Sequence, residues 1–129
     1  MFINPFSYTY SLNLPTPHKR FTMEKGKRIS KKKAIDEVKR FKDNHSKSTH
    51  SVLYDASLVQ DLLDIPGCVS VRIHFAETDE KATTLVLVAV DKDNNAILPT
   101  SEELDGAESA FILNDGPRCP PINCPTGDL

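Results

Sequence analysis

No apolar run in this sequence is long enough to cross a membrane. A transmembrane helix needs about 20 consecutive apolar residues, whereas residues 85–90 form an apolar segment of strand length. Residues 1–22 also lack the basic start and continuous apolar core of a secretory signal. We therefore expect a soluble protein without a membrane partner. We predict that residues 1–22 are a disordered extension or the product of a start upstream of Met23.

Cysteine is scarce and present in an odd number, three. An odd count in a chain without a secretory signal argues against a disulfide framework and favours a reducing compartment. The sequence therefore predicts a cytoplasmic protein.

Motifs of common enzymes are also missing. The chain has no glycine-rich phosphate loop, no nucleophile motif and no paired-acid signature. We therefore favour a non-enzymatic binding or interaction domain, whose partner is an unidentified protein or small ligand. With 129 residues, 39% of them hydrophobic, the chain suffices for one core, and we place the single domain at residues 23–116.

Two apolar segments predict a β-hairpin at residues 68–76 and 84–91. The first alternates apolar and polar residues, as a strand with one buried face does; its apolar members are Val69, Val71, Ile73 and Phe75. Residues 85–90 are apolar at every position, which indicates an interior strand covered on both faces. The polar residues between the segments are too many for a tight turn.

Two amphipathic segments predict helices at about residues 30–44 and 55–64. Ser30 can cap the first helix, and Asp55 or Ser57 can cap the second, which ends before Pro66. We predict a small α+β domain in which both helices cover one face of a small antiparallel sheet. Residues 97–98 and 110–113 would add one or two short strands, and an unguarded edge of the sheet can recruit a second copy of the chain.

Residues 117–129 are rich in proline and cysteine and predict an extended, polyproline-like tail. Cys119 and Cys124, together with Cys68 and His74, can supply the ligands of a zinc site. Alternatively, the two tail thiols form a disulfide or a redox-active pair. In a third interpretation, Cys68 is a small buried hydrophobe and the tail packs across the sheet.

A polar surface site is a further hypothesis, with Arg72, His74 and Arg118 as its residues. Arg72 and His74 share one face of the predicted first strand, and Arg72 can pair with an acidic group such as Glu102 or Glu103. No partner for catalysis by His74 is evident from the sequence.

A short acidic stretch, with Asp91, Asp93 and Asn95, has part of the spacing of a calcium-binding loop. Because Ala96 stands where that loop needs glycine and a strand precedes it, we interpret the stretch as a surface turn.

Charge is distributed unevenly along the chain, although the net charge is only −2. Residues 18–47 contain twelve of the 16 Lys and Arg residues and only four of the 18 Asp and Glu residues. A basic N-terminal helix can bind nucleic acid weakly. We favour a solvated basic face, because no set of stacking aromatic residues accompanies the lysines.

Two motifs resemble those of a group of short bacterial proteins without a known activity. They are Pro66-Gly67-Cys68 before an apolar strand and Cys119-Pro120-Pro121 near the end. The similarity covers about residues 29–125. In the group, one residue separates Cys-Pro-Pro from the next cysteine, whereas Ile122 and Asn123 both intervene here. The resemblance implies a shared shape and no particular chemistry.

Overall fold

A computed structural model describes residues 24–100 and 109–122, together with residues 124, 125, 127 and 129. The prediction for residues 1–22 lies outside the described residues. The chain divides into two units, Met1–Lys33 and Ala34–Leu129. The elements of the described residues are α1 (Lys31–Asn44), β1 (Ser51–Val52), α2 (Ala56–Leu63), β2 (Ser70–Glu77), β3 (Thr83–Val90) and β4 (Arg118–Cys119).

Helix α1 begins where its sequence provides a cap. The backbone amide of Lys33 donates a 3.1 Å hydrogen bond to Oγ of Ser30, which satisfies one of the free amides at the start of the helix. One turn from the end, Lys39 Nζ lies 2.7 Å from a carboxylate oxygen of Asp43. The predicted first helix is therefore confirmed, although none of its residues is fully buried.

Helix α2 follows Asp55, which occupies the N-cap position without a side-chain hydrogen bond. Of the two predicted caps, Asp55 is therefore the one at the N-cap position, and Ser57 lies inside the helix. The Gln60 amide donates a 3.0 Å hydrogen bond to the Asp64 carboxylate, one turn further on. Leu62 is completely buried, so the helix is held by its contact with the core.

The predicted hairpin is confirmed. Strands β2 and β3 pair antiparallel along their whole length, with Ile73 opposite Leu87 and Phe75 opposite Leu85. The connection closes through a 2.8 Å hydrogen bond from the Thr78 amide to the Ala82 carbonyl, while Lys81 adopts a left-handed φ of 69°. Five residues therefore connect the strands, as the polar stretch between them predicts.

A second, two-stranded sheet joins β1 to β4, with Ser51 opposite Cys119. The segment predicted as a tail therefore contributes a strand. Cys119 and Cys124 form a disulfide with a Cα–Cα distance of 4.9 Å, whereas a polyproline helix would separate these residues by about 15 Å. The polyproline conformation is therefore wrong at Pro120 and Pro121, which lie in a turn.

The core lies against β3. Its buried cluster contains Leu62, Ile65, Leu87, Ala89 and Leu113, and Val88 and Val90 are buried on the opposite face of the strand. The prediction of an interior strand is thus confirmed. Of the two short strands predicted beside it, residues 110–113 contribute a single bridge, Leu87 with Leu113. The other bridge joins Val90 to Ala96, one residue before the predicted strand at residues 97–98.

The prediction that both helices cover the apolar face of the first strand is wrong. Val69, Ile73 and Phe75 are 62%, 53% and 84% exposed, and Val71 alone packs against the core. The physical reason is the position of α2, which contacts β3. The helix therefore shields the inner strand of the hairpin and leaves most of the outer strand uncovered.

Candidate functional site

The inner strand β3 uses its backbone on both sides. Leu87 exchanges two hydrogen bonds with Leu113, of 2.9 and 3.0 Å, and the Ala89 carbonyl accepts a 2.8 Å bond from the Ile97 amide. The Leu85 carbonyl accepts a 2.7 Å bond from the Tyr54 hydroxyl. Residues 85, 87 and 89 therefore direct backbone groups away from β2.

Among the described residues, the outer strand β2 then has backbone groups that no neighbouring strand bonds. In an antiparallel pair, opposite residues either bond to each other or both point their backbone groups outward. Since Leu85, Leu87 and Ala89 point away, their partners Phe75, Ile73 and Val71 do so too. No hydrogen bond from another described residue reaches the backbone of these three residues.

Side chains of the same residues form an apolar strip. Ile73 and Phe75 are exposed, and Val71 continues the strip toward the core. We call the backbone and side chains of Val71, Ile73 and Phe75 the open edge. Most soluble proteins protect such a strand with lysine, proline or a covering segment, so an apolar open edge indicates a surface that another chain can pair with.

A groove begins at the end of the open edge. Its volume is about 710 Å³. Apolar walls come from Val38, Phe41, Val52, Phe75 and Leu85, and polar walls come from Glu37, Ser48, Thr49, His50, Ser51, Thr83 and Thr84. Volume and mixed lining are both typical of pockets that accept a small ligand or an apolar side chain.

Aromatic contacts shape one wall of this groove. The Phe41 ring stacks on His45 at a centroid distance of 4.3 Å and meets His50 edge-on at 6.3 Å. Nε2 of His50 also lies 3.1 Å from the His45 carbonyl oxygen. The groove is therefore bounded by rings held through several contacts.

A second cavity, of about 550 Å³, lies beside the hairpin loop. Glu77, Asp79, Glu80 and Asp115 line it together with Arg118. This cavity is more polar than the groove, and its lining contains four carboxyl groups and one arginine. These residues do not identify a ligand.

The residues of the predicted polar surface site lie at two separate places in the structure. Arg72 Nη2 donates hydrogen bonds to the carbonyl and the side-chain oxygen of Asn94, of 3.2 and 2.8 Å. His74 is exposed on the same face of β2. Arg118 lines the cavity at the opposite, loop end of the hairpin. The structure therefore brings Arg72 and His74 together, but not Arg118.

The loop that receives Arg72 is the predicted surface turn. The Asp91 carboxylate accepts hydrogen bonds from the amides of Asp93 and Asn95, of 2.9 and 3.0 Å, as Asp does in tight turns. Glu102 and Glu103, which we considered as partners of Arg72, lie outside the described residues.

The candidate zinc ligands are separated. Cys119 and Cys124 are bonded to each other, and the half-buried Cys68 donates a 3.3 Å hydrogen bond to the Ser70 carbonyl. Over residues 24–100 and 109–122, no three His, Cys, Asp or Glu side chains form a group that could hold a metal. The four-residue zinc set is therefore not assembled in this structure.

Burial affects one titratable group near the groove. It raises the pKa of Tyr54, an effect that a hydrogen bond with the Gly116 backbone opposes and the nearby charge of Asp115 reinforces. The neutral Tyr54 hydroxyl is thereby favoured, which suits its role as hydrogen-bond donor.

The sequence predicts an unguarded sheet edge, but neither the location of that edge on β2 nor the groove. The alternation of apolar and polar residues in β2 predicts that one face of the strand is buried. It shows only that the two faces of the strand differ in polarity. Glu77 is a signal in the sequence, since it follows Phe75 on the same face of the strand and is difficult to bury.

Comparison of the chain with protein-family models, curated proteins and solved structures finds no match. The resemblance to short bacterial proteins therefore stays a prediction. In the part of the chain that the structure describes, no helix combines the length and apolar character needed to cross a membrane.

Proposed function

We propose that this protein is a non-enzymatic interaction domain that binds an extended segment of a partner chain along the open edge. One observation carries the proposal: Val71, Ile73 and Phe75 direct outward backbone groups that no other described residue bonds, and the apolar side chains of Ile73 and Phe75 are exposed at the same edge. An extended peptide satisfies both needs, because it supplies backbone hydrogen bonds and alternate side chains together.

The groove supports this assignment by its position. Phe75 is part of the open edge and also lines the groove. A strand added to β2 places side chains within about 5 Å of those of Phe75, near the groove entrance. Backbone pairing then supplies affinity, and the groove supplies a preference for apolar side chains at one position.

Peptide binding tests the proposal directly. The probe is a fluorescein-labelled peptide of eight residues that alternates valine and threonine between terminal lysines. A matched peptide has the same side chains but carries N-methyl groups on every amide between the terminal lysines, so that neither edge keeps its donors. We expect saturable binding of the first peptide by fluorescence anisotropy and none of the second, because methylation removes the donors that pair with β2.

Two variants separate edge pairing from nonspecific hydrophobic binding. Ile73→Lys places a charge in the middle of the open edge and should abolish binding. Leu98→Lys alters a leucine that is 53% exposed, as Ile73 is, and should leave binding unchanged. Equal binding of the plain and methylated peptides would refute recognition through the backbone.

A thiol-dependent function is the second candidate, because the structure contains the Cys119–Cys124 bond. The Cys124 side of this bond is exposed, while Cys119 is buried. We favour a structural role, since Cys119 belongs to β4 and its carbonyl accepts a 2.7 Å hydrogen bond from the His50 amide. The bond is more typical of oxidising compartments than of the cytoplasm we predict, and a thiol count on protein taken from cells tests that location.

A further inference from the structure

We propose that the partner strand is β2 of a second copy of this chain, paired antiparallel with Ile73 opposite Ile73 of the second copy. This inference rests on the proposed function and names its partner. Two open edges related by a twofold axis form one continuous four-stranded sheet from two hairpins.

The pattern of β2 favours this register over its neighbours. With the axis at Ile73, Val71 of each chain faces Phe75 of the second copy, so all three residues of the open edge meet apolar residues. Each such pair exchanges two hydrogen bonds, about six in total. No outward backbone group of the three residues is left without a partner.

The neighbouring registers place charges unfavourably. An axis at Arg72 sets two guanidinium groups against each other, which is destabilising for directly opposite residues. An axis at His74 or at Phe75 sets Val71 or Ile73 against Glu77 of the second copy. With the axis at Ile73, Glu77 instead faces Val69 of the second copy, a residue that precedes β2. Charge and apolar pattern within the strand therefore favour the axis at Ile73.

Arg72 and His74 lie on the face of the four-stranded sheet opposite to that of Ile73. With the axis at Ile73, Arg72 faces His74 of the second copy, and symmetry produces this pair twice. Each Arg72 is held by Asn94 of its own chain, so its position is fixed before association. A carboxylate in place of His74 would meet a positioned cation, and a second cation there would be repelled.

Sedimentation equilibrium of the full chain tests self-association, over about 1 μM to 1 mM protein. We expect a monomer–dimer equilibrium for the native chain and for Leu98→Lys, and a monomer for Ile73→Lys. A native chain that stays monomeric at every concentration but binds the alternating peptide would overturn the dimer and leave the proposed function standing. A dimer that survives Ile73→Lys would overturn the edge pairing.

Substitutions at His74 test the register. His74→Glu should tighten the dimer by roughly threefold to tenfold, because two symmetric pairs with Arg72 form. His74→Lys should weaken it by a similar factor. Equal dissociation constants for these two variants would exclude the axis at Ile73.

Cysteine cross-linking tests the same register independently of charge. Opposite residues of a hydrogen-bonded pair have Cα atoms about 5.5 Å apart, a distance that a disulfide spans. Ile73→Cys should therefore form a covalent dimer on mild oxidation, whereas Phe75→Cys should not, since it faces Val71 of the second copy. The reverse outcome would contradict the proposed register.

Discussion

The hydroxyl of Tyr54 donates a 2.7 Å hydrogen bond to the backbone carbonyl of Leu85. This carbonyl points away from β2, at the side of β3 where Leu113 and Ile97 supply partners further along the strand. The Tyr54 side chain thus supplies the hydrogen bond that a neighbouring strand would otherwise donate to Leu85. The inner strand is satisfied by its own chain, whereas Val71, Ile73 and Phe75 of the outer strand β2 have no backbone partner among the described residues.

Replacing Tyr54 by phenylalanine should destabilise the fold by about 1–2 kcal/mol. The substitution keeps the ring but leaves the partly buried Leu85 carbonyl without its donor. Urea denaturation measures the free energy of unfolding. Thr49→Val is the control, since it removes a 2.7 Å bond to the Thr83 carbonyl in an exposed setting and should cost below about 0.5 kcal/mol. Equal losses for both variants would contradict the role of Tyr54.

Tyr54 should also make stability depend on pH at alkaline values. Burial raises the pKa of Tyr54 in the folded state, whereas an unfolded tyrosine titrates near about pH 10. The stabilisation is therefore complete below about pH 10 and is lost as pH rises through the folded pKa, because the unfolded chain releases its proton first. Lys39, whose pKa is raised by its bond to Asp43, titrates in the same range.

The difference between the native chain and Tyr54→Phe isolates the tyrosine contribution. Melting temperatures of both proteins, measured from pH 8 upward, should show a steeper alkaline loss for the native chain. Parallel curves would show that Tyr54 ionises equally in the folded and unfolded states.

The sequence predicted the parts of the fold that depend on local pattern. The uninterrupted apolar run at residues 85–90 predicts an interior strand. Ser30 predicts the start of α1, because its side chain can cap the helix. Exposure of Ile73 and Phe75 was not predictable in this way. It depends on which strand receives helix α2, a contact between distant segments that alternation in β2 does not report.

The second sheet illustrates the same limit. Ser51 pairs with Cys119 across more than half of the chain, and a strand of two residues has no periodicity to detect. The predicted polar surface site shows the same limit. Arg72 and His74 lie together because they share one strand, which the sequence reveals. Arg118 belongs to β4 and lies elsewhere.

Gly116 should tolerate no side chain. A Cβ atom there would overlap the Leu53 carbonyl oxygen, a backbone atom, and lie 2.7 Å from Cγ1 of Val52, a short branched side chain on strand β1. Gly116→Ala should cost about 1–3 kcal/mol through overpacking. Gly127→Ala, where nothing lies within 4 Å, is the matched control and should leave thermal stability unchanged. An unaffected Gly116→Ala protein would contradict the close approach of residues 52–54.

Removing the disulfide distinguishes a structural bond from a functional one. Cys124→Ser opens the loop that holds the end of the chain next to β4, and a loop of this size predicts a loss of about 2 kcal/mol. Cys68→Ser is the control, because Cys68 is half-buried and not bonded to another cysteine. We expect Cys124→Ser to unfold at lower urea concentration yet bind the alternating peptide as the native chain does, since the open edge lies on the other sheet. Loss of peptide binding at unchanged stability would instead favour the thiol-dependent function.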